Sequence, residues 1–558
     1  MDRRVGVRKN RLSGTRLRAP GSRSIRCLQT PDLEEVSPSV ATTHLETTPP
    51  GDTNTPSSEP RSFINRCSDS YYGETGDING VEETPFTSPP NLQALRKSVQ
   101  LDPTPRPVLI RAWADAYWQS VFHYCPVLEA KDLDGSNAST ALGKAICLVG
   151  NLVRPNPRGF KLANELYEEV KLLICLDLDR DTARTLKAIC LLSLWSAKPS
   201  NPITLDGPWH WIAVAVRLAL QMGLYRECTY VNRSDAKSLR RIFWTLHNND
   251  TLEAACWNRP PLLRRNDFNV ELPTRDDFDM PCLHSVVFIE SSKLCTIISR
   301  TSELHRDRRP IELEEFSRVE TSLCDWVNSL PGELRLFDEG GTRKSYCRPV
   351  SELLIQYFVA IILSEFLRCR DRGGPRRVSV ASLLSASCAV TLYEEIDCRD
   401  EARLPHHNGF YCLVLALPII HRTPQNSEQK SERERNLAVL RSILKGLDGK
   451  YGDAKWGVAM MDKLKTRIDR TLDSRCSGNS EHLESSPVSN RMFPFPPDFC
   501  DNMALLEQTT GPNAEFSVAN LNALQDWSVD NSTLDCTWLD LFRFDVADMN
   551  GEFQNSVQ

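Results

Sequence analysis

Apolar residues recur at intervals of three and four positions through most of the chain between residues 106 and 475. This spacing is typical of amphipathic α-helices, and alternating strand-like runs are scarce. The clearest helix runs from Trp209 to Leu224, with Pro208 where a first helical turn tolerates proline and Gly223 near the end. We therefore predict an all-α fold built around one large multi-helix domain.

Capping signals place the other helices along this region. Asp181 is the expected N-cap of a helix that begins at Thr182, and Ser234 is the expected N-cap of the helix that passes through Leu252. Similar helices are predicted near residues 283–306, 312–330, 350–370, 380–397, 408–422, 432–447 and 455–473.

The composition changes at both ends of the helical region. Residues 1–105 begin with a basic arm, which holds eight Arg and one Lys in its first 30 residues, and continue as a Pro-, Ser- and Thr-rich stretch. Residues 476–558 pass from a second linker into an acidic tail. Such compositions bury too little apolar surface to offset chain entropy, so we predict disordered tails around a domain at 106–475. We interpret the arm as solvated, with nuclear import or phosphate contact as the alternative.

Charge and cysteine usage narrow the class of protein. Because the net charge is −6, we expect any contact with nucleic acid to be confined to a local basic region. The sequence contains no run of 18 or more apolar residues, so we predict no membrane-spanning helix. The 19 cysteines are scattered, without a Cys-x-x-Cys pair. We therefore expect free thiols in a reducing compartment and no metal site in this chain.

The most informative segment is residues 239–273, a helix that leads into a turn with two prolines. The apolar spacing places one face of this helix in the core, and Asp250 falls one turn further along that face. A buried carboxylate is costly unless it is paired, so the sequence predicts a fold-specifying ion pair that needs no ligand. The partner charge is expected from one of three arginines, Arg240, Arg241 and Arg259.

This segment resembles the fungal-specific transcription factor domain, the regulatory region found behind binuclear zinc-cluster DNA-binding domains, and within that family the cutinase-type regulators. The family pattern is a helix with two Arg, an aromatic pair and an Asp, followed by Gly-Arg-Pro and then by an acidic residue, a Val and a Leu-Pro. Asn258 stands where the usual Gly would be. The matching residues are Arg240, Arg241, Phe243, Trp244, Asp250, Arg259, Pro260, Asp267, Val270, Leu272 and Pro273.

The resemblance implies a nuclear regulator of RNA polymerase II genes whose partners are DNA, transcription coactivators and a small-molecule effector. In the family, six cysteines spaced Cys-x2-Cys-x6-Cys and repeated hold the two zinc ions of the DNA reader. The first 110 residues contain only Cys27 and Cys67, so we expect no cofactor here and a zinc cluster only outside this chain. The alternative is a co-regulator that acts through partners without binding DNA. The oligomeric state is left open.

The acidic tail is the second functional candidate. Aromatic and apolar residues are interleaved with its acids, and such a segment can fold into a helix on a coactivator. The alternative is a C-terminal helix that packs back on the core. The candidate activation residues are Trp538, Leu541, Phe542 and Phe544.

Enzyme motifs are scarce. A prenyl-diphosphate enzyme would need clustered carboxylates, and the one such cluster, Asp276, Asp277 and Asp279, falls in a predicted loop without a second metal motif. The adjacent His406 and His407 point in different directions from a helix. No nucleophile elbow, phosphate loop or dinucleotide motif occurs, so we predict that the protein is not an enzyme.

Overall fold

The structure is a computed structural model, and it describes residues 90–98, 106–133, 140–153, 159–176, 181–195, 204–307, 311–370, 379–422, 424, 426–448, 453–474 and 490–506. All of these residues belong to one compact unit, which spans Arg66–Gln558. The predictions for the basic arm and for the acidic aromatic tail lie outside the described residues.

Helices form nearly all of the regular structure in the described part of the chain, which also contains an isolated antiparallel bridge between Phe337 and Arg343. The all-α prediction is confirmed. The α-helices are α1 Pro90–Ser98, α2 Pro107–Ser120, α3 Ala141–Leu152, α4 Gly159–Cys175, α5 Thr182–Leu192, α6 Pro208–Gln221, α7 Ala236–Trp257, α8 Leu283–Arg306, α9 Leu313–Asn328, α10 Arg348–Arg370, α11 Val380–Cys398, α12 Asn408–His421, α13 Ser427–Leu447 and α14 Asp453–Ser474.

Local signals account for most helix ends. The Asp181 side chain accepts the backbone N–H of Arg184 at 3.0 Å and caps α5 as predicted. Pro208 opens α6, and Gly223 adopts a φ of 72° just past its end, a left-handed conformation that favours glycine. The prediction that Ser234 caps α7 is wrong, because Asp235 occupies the N-cap position.

The first hydrophobic core is formed by α2 to α7. Tyr117, Leu142 and Val216 are fully buried within it, and the Tyr117 hydroxyl donates a hydrogen bond to the Cys125 carbonyl at 2.6 Å. Pairing of the hydroxyl allows this large polar side chain to lie inside an apolar cluster.

The second hydrophobic core is formed by α8 to α14, with α10 at its centre. Residues Arg348–Leu367 of α10 are long and apolar enough to cross a membrane, with a mean hydropathy of 1.7, but 89% of that window is buried inside the protein. The same length and composition are found in core helices. The apolar character of α10 is therefore accounted for by its packing.

Helices α7 and α8 connect the two cores. The early residues Phe288 and Ile289 of α8 lie in the first core, whereas Leu294 and Cys295 lie in the second. In α7, Leu252 and Ala255 near the C-terminal end join the second core. A helix between two cores is buried on most of its surface, so its polar side chains need partners within the protein.

Residues 490–506 pack against the second core, although they fall in the region assigned from sequence to a linker and tail. Met492, Phe493, Phe499 and Met503 are all at least 93% buried. The Tyr357 hydroxyl on α10 donates to the Met492 carbonyl at 2.8 Å. The linker prediction is therefore wrong for this segment, because apolar residues spaced among its prolines cover the core without forming a long helix.

Candidate functional site

The motif residues of α7 face the connection between α7 and α8, which we call the α7–α8 loop (residues 258–282). Arg240 binds both carboxylate oxygens of Glu227 at 2.6 and 2.7 Å and lies 3.4 Å from Asp277. The hydrogen bond from Arg240 lowers the pKa of the Glu227 carboxyl. Glu227 also accepts the backbone N–H of Glu271 at 2.9 Å. Arg240 thus joins α7, the segment after α6 and the loop.

Arg241 is buried and donates to backbone carbonyls on both sides of α7. Its Nε donates to the Pro126 carbonyl at 2.9 Å, and its Nη1 donates to the Asp277 carbonyl. A Glu129 carboxylate oxygen lies 4.0 Å away, and the Phe278 ring packs against the guanidinium. A planar cation with several donors can bind two carbonyls at once, which a lysine ammonium does with much less geometric control.

Trp244 fixes the middle of the loop. Its indole Nε1–H donates to the Glu271 carbonyl at 2.7 Å. Its ring makes edge contacts with Phe243, His247 and Phe268, and burial lowers the pKa of His247 to about 4. His247 is therefore neutral near physiological pH and belongs to an aromatic cluster, not to a titrating site.

Asp250 is buried, as the sequence predicts, but the predicted arginine ion pair is wrong. Its carboxylate accepts the backbone N–H groups of Leu262 and Leu263 at 2.7 and 2.8 Å. Burial raises the pKa of Asp250 to about 6 against the opposing effect of these hydrogen bonds. The carboxylate finds its partners in the loop backbone, which no pattern of charged residues in the sequence reveals.

Arg259 and Pro260 form the turn that follows α7. Asn258 ends α7 with a φ of 49°, a left-handed conformation that Gly and Asn adopt most readily. This explains why Asn can stand where the family pattern has Gly. The Arg259 guanidinium stacks over Trp209 at 4.7 Å and Trp257 at 5.6 Å, while Pro260 is exposed.

Four of the six motif residues lie on α7 and donate or accept hydrogen bonds that hold neighbouring segments against it. Arg241, Trp244 and Asp250 bind the α7–α8 loop, and Arg240 binds Glu227 in the segment before α7. Arg259 and Pro260 belong to the turn itself. Asp277, from the carboxylate cluster considered for metal binding, is nearly buried, and its side chain accepts the Thr274 backbone N–H at 2.8 Å. Its carboxylate stabilises the loop.

A second polar group, which sequence reasoning missed, lies between the two cores. We call His123, Arg348, Glu352, His407 and Tyr411 the interface cluster. Glu352 binds His123 Nε2 at 3.1 Å and Arg348 Nε at 3.0 Å, and the rings of His407 and Tyr411 lie 5.0 Å apart. These residues come from three distant parts of the sequence, so no local signal groups them.

Four buried atoms of the interface cluster make no hydrogen bond among the described residues. Arg348 Nε and Glu352 Oε1 are ion-paired with each other, whereas Nδ1 of His123 and the hydroxyl of Tyr411 have neither kind of partner, and both of these residues are 98% buried. Burial, with the nearby charges of His406 and His123, lowers the pKa of His407 well below its ordinary value. The cluster therefore offers buried donors and acceptors that its own side chains leave unmatched.

The side chains of His406 and His407 make different contacts, as expected for adjacent residues that point in different directions. His406 Nε2 lies 2.7 Å from Glu253 Oε1 on α7, whereas His407 lies beside Tyr411. In the part of the chain that the structure describes, no group of three or more His, Cys, Asp or Glu side chains is arranged to hold a metal ion.

Residues 114–344 match the family described as the fungal specific transcription factor domain. The region spans α7 and the α7–α8 loop, so the domain class agrees with the residues on which the resemblance depends. The likeness to this family covers about two fifths of the chain.

Curated proteins similar to this chain are transcription regulators. The acetamidase regulatory protein of Aspergillus fumigatus is 25% identical over 339 residues, which cover 56% of this chain and 42% of that protein. Its counterpart from Emericella nidulans is 25% identical over 339 residues. Cutinase transcription factor 1 beta of Fusarium vanettenii is 26% identical over 286 residues, covering 40% of this chain and 32% of that protein.

The chain spans about two fifths of the length of the acetamidase regulatory proteins that it matches. No solved structure shows significant similarity to it.

Proposed function

We propose that this protein is a fungal regulator of RNA polymerase II genes that acts in the nucleus and is not an enzyme. The observation that carries the proposal is the family match over residues 114–344, supported by relatives that are named as transcription regulators. The α7–α8 loop and the α7 side chains that bind it lie within the matched residues, so these contacts belong to the part of the chain that is similar to the family.

Specific DNA binding is proposed through a zinc cluster outside this chain. Supporting this, the relatives are more than twice as long as the regions that match. The experiment is to map the 5′ end of the transcript and read its coding sequence upstream of Met1. Six cysteines at the binuclear spacing would support a DNA-binding regulator. A translation start at Met1 would favour the alternative, a co-regulator that acts through partners.

Transcriptional activity of the chain itself can be tested without its natural DNA site. We would fuse the chain to a heterologous DNA-binding domain and measure a reporter that carries the matching operator in a fungal host. We expect the fused chain to change reporter output relative to the DNA-binding domain alone. Equal output from the fused chain and from the DNA-binding domain alone would overturn the proposal.

The acidic tail is proposed to bind coactivators. In the fusion reporter, joint replacement of Trp538, Phe542 and Phe544 by Ala should abolish activation. The matched control replaces two other aromatic residues of the same region, Phe516 and Phe553, by Ala and should retain activation. Full activity of the triple variant would remove the case for the tail, because the proposed docking depends on these rings.

We further propose that a small polar effector binds at the interface cluster. The unmatched His123 Nδ1 and Tyr411 hydroxyl support this, since a polar group that both donates and accepts, such as a hydroxyl or an amide, can satisfy either atom. The test is a thermal-shift screen of small carboxylic acids and amides. A ligand at this site should raise the Tm of the wild type and lose most of that effect in Tyr411→Phe. Equal shifts in both proteins would place the ligand elsewhere.

A further inference from the structure

Two cysteines that are distant in sequence meet where the C-terminal segment crosses the second core. Cys388 lies in the middle of α11, and Cys500 lies in segment 490–506, 112 residues further along. Their Sγ atoms are 3.6 Å apart, which is sulfur–sulfur contact. A disulfide requires about 2.0 Å, a distance that a small side-chain rotation or a slight movement of the segment would provide.

Neighbouring polar contacts hold the two cysteines in register. Asn502, two residues after Cys500, donates to the hydroxyl of Ser387, the residue before Cys388, at 2.5 Å. Asn502 also donates to Glu432 at 2.6 Å. Because Asn502 is buried, its bonds fix the segment beside α11 and keep the sulfur atoms facing each other.

The two thiols have opposite environments. Cys388 is fully buried, and its pKa lies well above the ordinary value because of burial and the adjacent Cys500. Cys500 is half-buried, and the hydrogen bond from Cys388 lowers its pKa. By contrast, burial raises the pKa of Cys190 and Cys295 to about 12. A partly exposed thiol in contact with a second, buried thiol is the arrangement found at redox-sensitive cysteines.

We propose that Cys388 and Cys500 form a reversible, redox-sensitive disulfide that fastens segment 490–506 to α11. The Cys500 thiolate attacks the terminal oxygen of a hydroperoxide, the O–O bond breaks, and the transferred OH makes Cys500 a sulfenic acid. The remaining oxygen fragment of the hydroperoxide leaves and takes up a proton to become an alcohol, or water when the oxidant is hydrogen peroxide. Cys388 then displaces the sulfenic oxygen as water and forms the S–S bond. Overall, two thiols and one hydroperoxide give one disulfide, water and the reduced alcohol. A dithiol reductant reverses the change.

The disulfide would attach segment 490–506, the last described part of the chain, covalently to α11. In the reduced protein, Asn502 and the apolar residues of the segment hold it by non-covalent contacts, which can open locally. In the oxidised protein, opening at Cys500 would also require the S–S bond to break. The inference concerns cysteine chemistry and does not depend on the proposed role in transcription.

The first experiment identifies the bond. The reduced full-length chain is treated with a small excess of hydrogen peroxide, free thiols are blocked, and a non-reducing digest is analysed by mass spectrometry. The peptides that contain Cys388 and Cys500 should be linked in the wild type and separate in Cys500→Ser. The matched control is Cys398→Ser, which removes an exposed cysteine from the same helix and should leave the link intact.

The second experiment reports the intermediate and the effect on the segment. In Cys388→Ala, a sulfenic acid on Cys500 should accumulate and react with dimedone more than in the wild type. Hydrogen exchange of residues 490–506 should slow by about 10-fold in the oxidised wild type and recover after reduction, because local opening is suppressed.

The outcomes separate the proposal from unspecific oxidation. Links among the exposed Cys175, Cys228, Cys282 and Cys398, without a link between Cys388 and Cys500, would overturn it. Dimedone labelling of wild-type Cys500 that equals the labelling in Cys388→Ala would also overturn it, since Cys388 would then not resolve the sulfenic acid.

Discussion

The carboxylate of Asp250 anchors the backbone of Leu263, thirteen residues further along the chain, through a 2.8 Å hydrogen bond from the Leu263 N–H group. The same oxygen also accepts the N–H of Leu262. Pro260 and Pro261 have no N–H group, so Leu262 and Leu263 are the first residues after the Pro-Pro pair that can donate. The rigid turn therefore brings two donors to one buried acceptor.

Removal of this acceptor should destabilise the domain. Asp250→Ala leaves the two backbone N–H groups without a partner, so we expect the free energy of unfolding to fall by about 2 kcal/mol. Asp250→Asn keeps a carbonyl oxygen of the same shape, so at a given pH near 5 it should lose less stability than Asp250→Ala. Urea unfolding followed by tryptophan fluorescence measures both. Equal losses in the two variants would contradict the acceptor role.

The raised pKa of Asp250 makes a second, separate prediction about pH. The folded pKa is about 6 against an ordinary 3.8, so the folded state binds the proton more tightly than the unfolded state. The contribution of Asp250 to the free energy of unfolding is therefore greatest at low pH. It falls as the pH rises through about 6, by up to about 3 kcal/mol in total. The wild-type stability relative to Asp250→Asn should decline between about pH 4 and 7. A constant difference would refute the assignment.

Arg241 should be among the costliest polar residues to remove. Arg241→Met leaves the buried carbonyls of Pro126 and Asp277 without their donor, and we expect a loss of about 3 kcal/mol in the free energy of unfolding. Arg241→Lys should give an intermediate loss. Arg240→Met is the control, because Glu227 is 29% exposed and can regain water, so its loss should be about 1 kcal/mol. If Arg241→Met and Arg240→Met lowered the free energy of unfolding by similar amounts, burial would not explain the importance of Arg241.

The helical fold could be predicted because its signals are local. Apolar spacing and caps such as Asp181 act over one or two turns, and α8 begins and ends at the residues that the sequence predicts, Leu283 and Arg306. Asn258 departs from the Gly of the family pattern, and its left-handed backbone conformation, which Asn tolerates, gives the reason. Tertiary context was not needed for any of these predictions.

The contacts of the candidate sites could not be predicted, because they join residues that are far apart in sequence. Asp250 binds backbone groups, which every residue except proline offers, so the charge pattern pointed wrongly to an arginine. His123 and Glu352 are 229 residues apart. Segment 490–506 resembled a linker in composition, yet Phe499 and Met503 are buried by the second core. Whether such a segment is buried depends on the surface it packs against, which its own sequence does not describe.

The buried Lys187 should make the first core sensitive to acid. Its ammonium lies 2.9 Å from Glu129 and 2.8 Å from Asp132. Burial alone would raise the pKa of the Glu129 carboxyl. The contacts with Lys187 and Lys131 outweigh this effect and lower the pKa of Glu129 to about 2. The folded state thus binds the proton less tightly than the unfolded state. The resulting stability is present above the ordinary pKa of 4.5 and is lost as pH falls from there towards 2.

Lys187→Gln tests this relationship. The variant should be less stable than the wild type near neutral pH, because two carboxylates lose their buried counter-ion. The difference should shrink as pH falls below about 4.5, where the carboxylates of the variant become neutral more readily. Lys131→Gln is the control, since the Lys131 side chain is 65% exposed and its loss should change stability little. A penalty for Lys187→Gln that does not depend on pH would contradict the ion-pair argument.

Gly150 marks the closest approach of two helices in the first core. A Cβ atom at this position of α3 would lie 2.4 Å from the Cβ and the carbonyl oxygen of Trp113 on α2. These atoms are close to or part of the backbone, so α2 and α3 would have to separate. We expect Gly150→Ala to lower the free energy of unfolding by about 3 kcal/mol through overpacking, although Ala favours helix formation more than Gly does.

Gly409 provides the matched comparison. It lies in the first turn of α12, and a Cβ atom there would meet nothing within 4 Å. Gly409→Ala should therefore stabilise the protein by about 0.5 kcal/mol, because Ala restricts the unfolded chain and suits a helix. The two variants differ in the space around the new methyl group and not in chemistry. If Gly150→Ala also raised the urea midpoint, the close approach of α2 and α3 would be wrong.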